Sequence, residues 1–564
     1  MKRFLQVGLI TIGLVLALVG GAVARERYSL DPLWLDFDME NIKEPSEHKT
    51  SYYYNFFGSQ FIEQWKQALD VPRWTRAAVG KNKRAANINE LDEVPDSSWY
   101  TNRHALRRMT IEELVRGPDQ GDAPDFGEGA VVIRAKTAGV TPGMWLKDKR
   151  GDSYIVKFDS SRYPELQSGA EVIATKILHA AGYNVPENYI AYVRPETLKI
   201  GAKVTIKTGA TSKPFERSDL DTMLERVAPM PDGSYRVLAS KILAGKPKGP
   251  FSQVGLRGDD SNDLIPHEHR RELRGLRVIA SWINHWDMKE DNSLDMFVEE
   301  DGRKFLRHYL IDFGSALGGG KTPLEYFHGR EYVMDAANIM KELFTLGIYT
   351  TPDEKEVELV SPAMAIFSNR EFDPEGWSPS FPVLSFENMT DEDAFWGTRI
   401  LLSFSQPELR AIIKTARYTN PADAEYLLKT LMDRRVTIGR HWLSKVNPIT
   451  QFSVEAGPGG PELRFKDLVI EHGWAAPDSA EYVYEVESVH RKAASGKSTR
   501  ATRIPLDPPV IHASGGDGNG GGKDEGVVRV KIETVRAGAD RDPVTVYLYP
   551  EGAGHHYRVV GIKR

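Results

Sequence analysis

The part of the sequence that most restricts the fold is a two-residue turn, Asp301-Gly302, between two largely apolar runs. The runs are S-L-D-M-F-V-E-E before the turn and R-K-F-L-R-H-Y-L-I after it. Asp-Gly is the usual chemistry of a β-hairpin turn, because both turn positions need a positive φ. The stretch therefore predicts an antiparallel hairpin in which facing residues have numbers that sum to 603.

This register brings polar side chains together at the open end of the hairpin. Asn292 is expected opposite Ile311 and beside Asp312, and Asp287 lies one short loop away. A carboxylate and an amide oxygen that converge on one point suit Mg²⁺, and a second carboxylate nearby can act as a base or orient a nucleophile. The hairpin thus predicts a site for a divalent cation beside a catalytic carboxylate.

The same stretch resembles the catalytic and metal-binding loops of the protein kinase superfamily. It reads H-x-D-x-K-x-x-N from His285 to Asn292, and D-F-G follows on the next strand at Asp312. The resemblance implies ATP and Mg²⁺ or Mn²⁺ as cofactors. It also implies that Asp287 orients the attacking hydroxyl, that Lys289 contacts the γ-phosphate, and that Asn292 and Asp312 hold the cation.

The upstream sequence extends the resemblance. A predicted strand, Y-I-V-K-F, contains Lys157, and a predicted helix runs from an N-cap at Ser168 to Ala181 with Glu171 in its first turn. Both residues also have a purely structural explanation. Lys157 can be a solvent-facing residue at a sheet edge, and Glu171 can be favoured by the helix dipole at the start of its helix. In the family, such a lysine holds the α- and β-phosphates and pairs with such a glutamate. The segment E-V-I-A-T-K-I-L-H-A-A-G-Y-N-V-P is similar to the atypical HipA-like or phosphatidylinositol-kinase-like branch.

A loop before this strand, T-A-G-V-T-P-G, occupies the place where the family covers the triphosphate with backbone N–H groups. It lacks the G-x-G-x-x-G pattern. Gly139 and Gly143 are therefore predicted to contact the nucleotide only by their position, and a tight turn without a ligand fits equally well.

The resemblance implies an α+β fold with two kinase-like lobes. Residues 129–195 are predicted as a β-rich N-lobe whose strand 188–193 leads to the hinge. Residues 196–447 are predicted as a helical C-lobe with an insertion over about 200–263. The helix predicted over 267–283 presents an arginine row that is interpreted as a salt-bridged surface, and a mobile loop is predicted at Gly318-Gly319-Gly320.

The two ends of the chain carry further predictions. A basic start, an apolar core and an A-x-A motif predict a signal peptide over 1–24 with cleavage after Ala24, hence export to the periplasm or envelope. An uncleaved membrane anchor is the alternative. Residues 25–128 are predicted as an irregular extension that packs on the kinase-like domain. Residues 448–564 are predicted as a β-sandwich-like accessory domain with a Gly-rich loop at 514–526.

Composition limits the function classes. The chain has 564 residues of which 41% are hydrophobic, so it can bury large cores in two to four domains. A formal charge of −6 argues against a nucleic-acid partner, and the absence of cysteine excludes disulfides and an N-terminal lipidated cysteine.

The predicted function is ATP-dependent transfer of a phosphoryl group to a hydroxyl of an unknown protein or small-molecule acceptor. The alternative is a nucleotide-binding pseudokinase or an envelope structural module, which export favours because extracytoplasmic compartments hold little ATP. Phosphorylation of lipids or sugars and transfer of AMP remain open.

Overall fold

The protein is seen here in a computed structural model, which describes parts of 57–76, residues 348 and 349, and the ranges 28–49, 83–135, 142–208, 211–320, 328–346, 358–488, 496–506, 527–536, 541–551 and 556–564. The predicted signal peptide, Gly139 and the Gly-rich loop lie outside the described residues. Within the described ranges, no helix combines the length and the apolar character needed to cross a bilayer.

The chain has a mixed α+β fold and divides into two units. The larger unit consists of Trp34–Ile88 and Glu93–Pro448. The smaller unit consists of Asn89–Asp92, Ile449–Arg564 and the described part of Met1–Leu33. Each unit therefore contains chain segments that are distant in sequence.

The strands of the larger unit are mostly antiparallel. They are β1 (Val131–Ala135), β2 (Gly143–Lys147), β3 (Ser153–Phe158), β4 (Asn188–Val193), β5 (Lys199–Ile200), β6 (Thr205–Thr208), β7 (Thr211–Pro214), β8 (Tyr235–Lys241), β9 (Lys246–Pro247), β10 (Ser293–Glu300) and β11 (Arg303–Leu310). The helices of this unit are α1 (Ile111–Arg116), α2 (Leu166–Ala181), α3 (Arg217–Leu224), α4 (Arg271–Ile283), α5 (Ala336–Phe344), α6 (Leu384–Glu387), α7 (Asp391–Ser403), α8 (Gln406–Lys414) and α9 (Pro421–Leu443).

Six strands form one sheet in the order β4-β8-β3-β2-β1-β5. Strand 188–193 is predicted to lead to the hinge, but after β4 the chain returns to the same sheet as β5 and as β8, which lies between β3 and β4. Part of the region predicted as an insertion thus completes the sheet. After β8 the chain passes directly to β9, which pairs with β10.

Helix α2 packs on this sheet through Val172, which contacts Ile190 of β4 and Leu238 of β8. The helix ends at Ala181, as predicted, and is followed by Gly182 with a φ of 117°. It begins two residues before Ser168, so Ser168 is not its N-cap; its backbone N–H and hydroxyl instead bind the carboxylate of Asp159.

The hairpin β10–β11 has the predicted register. Ser293 pairs with Leu310 and Glu300 with Arg303, so facing numbers sum to 603 along the whole ladder. Asp301 and Gly302 form the turn with φ values of 49° and 76°. The pairing continues one step further, because the N–H of Ile311 donates to the carbonyl of Asn292 at 3.0 Å. The sequence prediction of the hairpin is confirmed.

Helix α4 leads into the hairpin region and is buried on almost every side. The predicted salt-bridged arginine surface is wrong, because Arg270 and Arg274 are buried. Arg271 and Arg274 instead share the buried carboxylate of Asp393 on α7, at 3.0 and 3.1 Å. Periodicity identified the apolar face of the helix correctly, but it could not show that α7 and the N-terminal segment cover the other face.

Helices α7, α8 and α9 form the remainder of the helical part, and their starts follow local sequence chemistry. Thr390 and Ser405 begin α7 and α8 with capping boxes, and Asn420 caps α9. These three start signals were predicted from the sequence.

The N-terminal segment of the larger unit lies against the hairpin and β9. The ring of Trp99 stacks on His308 of β11, with 3.6 Å between the ring centroids. Farther upstream, the N–H of Ile42 donates to the carbonyl of Lys304 at 2.9 Å. Glu44 pairs with Lys246 of β9 at 2.6 Å. The irregular segment is therefore fixed by specific contacts with the elements that carry the predicted site.

The described residues of the smaller unit form two sheets. Its elements are β12 (Ile449–Gly457), β13 (Gly460–Asp467), α10 (Leu468–Glu471), β14 (Glu481–Ser488), β15 (Lys497–Thr499), β16 (Arg503–Pro505), β17 (Val528–Val535), β18 (Val544–Glu551) and β19 (His556–Lys563). One sheet has the order β12-β13-β16 and the other β15-β14-β17-β18-β19. Leu463 and Ile504 of the first sheet share one hydrophobic core with Tyr482, Val530 and Val546 of the second.

Candidate functional site

The site is organised around Lys157, which β3 presents near the middle of the six-stranded sheet. Its ammonium group lies 3.5 Å from Oε2 of Glu171 on α2 and 2.8 Å from Oδ1 of Asp312 after β11. Burial lowers the pKa of Lys157, but the attraction of the Asp312 and Glu171 carboxylates outweighs it and raises the pKa above its ordinary value. The side chain therefore keeps its positive charge at neutral pH.

Glu171 differs from Asp312 in its exposure to solvent. The Glu171 side chain is 3% exposed, and burial raises the pKa of its carboxyl against the opposing attraction of Lys157. The Asp312 side chain is 53% exposed and is open to a ligand. Gly314 fits closely between them, because a Cβ there would lie 3.2 Å from Oε2 of Glu171. Of the two carboxylates, Glu171 is placed to orient the lysine and Asp312 to meet solvent or a cation.

The loop between α4 and β10 carries the second group of predicted residues. Asp287 accepts a hydrogen bond from Nζ of Lys289 at 2.9 Å and another from Nδ2 of Asn292 at 3.1 Å. The same Asn292 nitrogen donates to the backbone carbonyl of Asp287 at 2.7 Å. These contacts hold the loop in one arrangement. Among the described residues, no donor bonds to the side-chain oxygen of Asn292, which leaves it available to a cation.

The backbone at the open end of the hairpin connects the loop that carries Asn292 with Asp312, the partner of Lys157. Asn292 bonds to Ile311 across the strands, and the next residue, Asp312, has a φ of 62°. A positive φ at a non-glycine residue is uncommon and redirects the chain sharply after β11. The buried Phe313 ring then packs edge-on against His285 at 5.5 Å. The hairpin thus sets the position of Asp312 relative to the loop between α4 and β10.

His285 contacts the segment that follows Asp312. It is buried, and Nδ1 lies 2.9 Å from Oγ of Ser315. Burial lowers the pKa of His285 to about 4. Sequence reasoning found His285 through its motif but missed Ser315, because a serine three residues after an aspartate carries no signal of its own.

The buried neutral state of His285 predicts a pH dependence of stability. Because its pKa in the folded protein lies below the ordinary value of 6.5, the unfolded chain binds the proton more readily. The stabilisation is complete above about pH 6.5 and is lost as the pH falls towards 4, by on the order of 3 kcal/mol. Denaturant unfolding of the larger unit between pH 7.5 and 4.5 measures this loss.

The variant His285→Asn is expected to reduce the slope of stability with pH, although not to zero. Partial burial and the nearby positive charges of Arg103 and Lys176 lower the pKa of His179 to about 3, so it contributes in the same direction. The matched control is His48→Asn, which replaces a histidine on the surface and removes no buried imidazole. An identical slope in His285→Asn and the parent chain would contradict the prediction.

The loop after D-F-G is packed closely, in contrast to the predicted mobility. The N–H of Leu317 donates to the carbonyl of Ile283 at 2.7 Å, and Nε1 of Trp286 donates to the carbonyl of Gly319 at 2.9 Å. The side chain of Gln167 on α2 donates to the carbonyl of Gly320 at 2.9 Å. A Cβ at Gly319 would collide with the carbonyl of Gly314. At Gly319 glycine therefore serves close packing.

Gly143 is the first residue of β2 and pairs with Lys157 across the sheet. Its neighbour Pro142 accepts a hydrogen bond from the N–H of Phe158 at 2.9 Å. The backbone at Gly143 is therefore beside the strand that carries the site lysine. Gly139 lies outside the described residues, so its predicted contact with a nucleotide stays a prediction.

The protein oxygens at the site fit a magnesium or manganese ion that takes its remaining ligands from phosphate and water. The described ranges contain no group of three or more histidine or acidic side chains that could hold a metal alone. Mg²⁺ commonly takes one or two carboxylates from the protein and completes its shell with phosphate and water oxygens. The carboxylate of Asp312 and the side-chain oxygen of Asn292 meet that requirement.

No family model and no curated protein matches this chain. Among solved structures, it is similar to the proinflammatory kinase CtkA of Helicobacter pylori, with 10% identity and a TM-score of 0.30 over 57% of this chain and 99% of that one. It is also similar to the Golgi casein kinase, with 10% identity and a TM-score of 0.25 over 72% and 94% of the two chains. A structure of the Golgi casein kinase with Mn and ADP bound gives 11% identity and a TM-score of 0.23 over 71% and 95%. Similarity at this level assigns neither a family nor an activity to this chain.

Proposed function

We propose that the chain is an atypical ATP-dependent kinase with two kinase-like lobes, which transfers the γ-phosphoryl group to a hydroxyl of a protein or small molecule. One observation carries the proposal: Lys157 contacts Glu171 and Asp312, which come from a helix and from a strand end 155 residues away. A half-buried lysine fixed between two carboxylates, one of them exposed to solvent, suits a phosphate and its cation.

The residues of the site divide the work of phosphoryl transfer, which depends mainly on positioning and on neutralising charge. Lys157, oriented by Glu171, binds phosphate oxygens. Asp287 accepts a hydrogen bond from the acceptor hydroxyl and orients it, while Lys289 beside it offsets negative charge on the transferred group. The hydrogen bonds that Asp287 accepts from Lys289 and Asn292 hold its carboxylate in one position, which supports this assignment.

Asn292 and Asp312 would hold Mg²⁺ or Mn²⁺. When bound, such a cation neutralises phosphate charge and bridges phosphate oxygens. The contact between Lys157 and Asp312 competes with that role, since a cation at Asp312 repels the ammonium group. We therefore expect Lys157 to leave Asp312 for phosphate when nucleotide and cation bind together.

Joint binding of nucleotide and cation at Lys157 and Asp312 predicts a thermal shift. Mg²⁺ with ATP should raise the melting temperature of the full chain, because a ligand present at 100 times its Kd stabilises the folded state by about 2.7 kcal/mol. The variant Asp312→Asn should lose the part of the shift that depends on Mg²⁺, and it should keep the parent melting temperature without ligand. The control Asp301→Asn, in the exposed hairpin turn, should shift as the parent does. An equal Mg²⁺-dependent shift in Asp312→Asn would contradict the cation assignment.

Transfer itself is tested with ATP labelled at the γ-phosphate, Mg²⁺ or Mn²⁺, and envelope extract as a source of acceptors. Mass spectrometry of the product separates a phosphoryl adduct of about 80 Da from an adenylyl adduct of about 329 Da. The competing candidate is a nucleotide-binding module, which the predicted export signal favours. A thermal shift with ATP but no labelled product, including the protein itself, would favour that module and refute the kinase.

A further inference from the structure

A cluster of three buried polar side chains connects the six-stranded sheet with helix α2. Asp159 directly follows β3, Ser168 lies in the first turn of α2, and Arg236 lies on β8. Each of the three is at most 6% exposed. The hydroxyl of Ser168 donates to the carboxylate of Asp159 and accepts from Nε of Arg236 at 3.0 Å. The backbone N–H of Ser168 donates to the same carboxylate at 2.9 Å. We call these three residues the Arg236 cluster.

Arg236 also reaches the loop 415–420 between α8 and α9. Its Nη1 donates to the carbonyl of Arg417 at 2.9 Å, and its Nη2 donates to the carbonyl of Ala416 at 2.5 Å. The carboxylate of Asp159 balances the charge of the guanidinium group, with 3.9 Å between Nε and Oδ2. Each nitrogen of the guanidinium group therefore has an acceptor. A buried polar network whose members are satisfied makes the structure around it rigid.

The same loop contacts the first turn of α2 directly. The carboxylate of Glu165, the residue before the helix, accepts a hydrogen bond from the N–H of Thr419 at 3.0 Å. The ring of Tyr418 lies against the helix at Gly169, where a Cβ would collide with it. Loop 415–420 therefore fixes the end of α2 that carries the site glutamate.

The remainder of α2 is enclosed as well. All of its residues except Gln167 and His179 are buried. Towards its other end, Nζ of Lys176 donates to the carbonyl of Arg116 at 2.6 Å and to the carboxylate of Asp119. The helix cannot shift on the sheet without breaking such contacts, because a packed interior leaves little free space.

The Arg236 cluster lies close in sequence to residues of the candidate site. Asp159 follows Lys157 by two residues, and Ser168 precedes Glu171 by three, about one helical turn. Arg236 lies on β8, which pairs with β3 beside Lys157. Bonds within the cluster therefore fix the strand that carries Lys157 relative to the helix that carries Glu171. The distance of 3.5 Å between the two charged groups depends on that relative position.

We propose that Ser168 and Arg236 are positioning residues, which together with Asp159 hold Glu171 against Lys157 before any ligand binds. They act through these two site residues, and α2 does not have to move to bring the pair together. The effect on ATP binding rests on the proposed function, whereas the effect on the contact between Lys157 and Glu171 does not. The two effects are measured separately.

Acetylation of Lys157 by acetic anhydride reports on its contact with Glu171, because only the uncharged amine reacts. Burial lowers the pKa of Lys157, and the attraction of Asp312 and Glu171 outweighs it. A Glu171 carboxylate that moves away therefore increases the fraction of uncharged amine, tenfold when the pKa falls by one. In the full chain without nucleotide, the rate at Lys157 should rise about threefold in Ser168→Ala and about tenfold in Arg236→Met. Mass spectrometry over a series of pH values measures the rates.

The smaller substitution decides the outcome. Arg236→Met takes the cation away from the buried carboxylate of Asp159, which can prevent folding. Ser168→Ala keeps the backbone bond to Asp159 at 2.9 Å and places a strong helix former in α2, so the chain should fold.

Two controls accompany the variants. Ser281→Ala removes a buried hydroxyl from a different helix, α4, and should leave the rate at Lys157 unchanged. Lys176, towards the other end of α2, is an internal reference whose rate should not change in Ser168→Ala. An unchanged rate at Lys157 in Ser168→Ala would overturn the proposal. An equal rise at Lys176 would also overturn it, because the whole helix would then have loosened.

Binding of Mg²⁺ with ATP is measured in parallel, well below the melting temperature of each variant. The Kd of Ser168→Ala should rise about threefold, and that of Ser281→Ala should equal the parent value. A lower melting temperature of Ser168→Ala with unchanged Kd and unchanged acetylation would show a structural role alone and would overturn the proposal. A parent chain that binds no ATP would contradict the proposed function, and the acetylation rates would still test the positioning of Glu171.

Discussion

Replacing Asp287 by alanine is expected to lower the rate of phosphoryl transfer by about 10²- to 10⁴-fold, the usual contribution of a positioned acid or base. The substitution removes the carboxylate that would orient the acceptor hydroxyl. It also leaves the ammonium group of Lys289 without the contact at 2.9 Å that now fixes it. Rates measured with γ-labelled ATP at saturating Mg²⁺ give the size of the loss.

The same substitution should leave the melting temperature unchanged. Asn292 still donates to the backbone carbonyl of Asp287 at 2.7 Å, so the loop keeps its main constraint. The side chain of Lys289 is 25% exposed and can turn to water. Loss of activity without loss of stability separates a catalytic role from a structural one.

Two results would contradict this prediction. Unchanged transfer in Asp287→Ala would refute the catalytic assignment, and a large fall in melting temperature would mean that the loop depends on the carboxylate for its structure. The control Asp301→Asn changes a carboxylate at the other end of the same hairpin and should keep full activity.

Replacing Asp393 by alanine is expected to destabilise the larger unit by about 3 to 5 kcal/mol, the cost of removing one partner from a buried ion pair. Arg271 and Arg274 both direct a guanidinium nitrogen at this carboxylate, and all three side chains are fully buried. Asp393 also accepts a hydrogen bond from the N–H of Thr390 in the capping box of α7. The variant loses both kinds of contact.

Denaturant unfolding followed in the larger unit measures this effect, with Asp433→Ala as its control. Asp433 pairs with Lys429 on the exposed side of α9, and such pairs contribute about 0.3 to 0.5 kcal/mol. Asp393→Asn keeps the shape of the side chain and should fall between the two. A loss in Asp393→Ala as small as that in Asp433→Ala would show that the buried arginines find other partners.

The hairpin shows which features a sequence can predict. Asp301-Gly302 specifies the turn by local chemistry, and the period of two in a strand then fixes every facing pair as far as Asn292 and Ile311. Helix starts at Thr390, Ser405 and Asn420 were predictable for the same reason, since a cap depends on its own few residues. Local sequence rules were therefore sufficient to predict the part of the candidate site that the hairpin carries.

Features that depend on distant segments were not predictable in this way. Strand β8 enters the sheet between β3 and β4 through pairings that no local pattern encodes. The burial of Arg274 follows from what α7 and the N-terminal segment place around it, including the carbonyl of Lys83 at 2.9 Å. The pairing of Lys157 with Glu171 was inferred from a family resemblance, and the structure brings these residues together.

In the smaller unit, residues 89–92 contact the strand β19 and Arg564, which lie far away in the sequence. The guanidinium of Arg564 lies 3.2 Å from the carboxylate of Asp92 and donates to the carbonyl of Ile449 at 2.7 Å. The N–H of Ile562 donates to the carbonyl of Glu90 at 2.7 Å. During synthesis, residues 89–92 leave the ribosome more than 400 residues before their partners. Their final contacts therefore form only after residues 556–564 have also been synthesised.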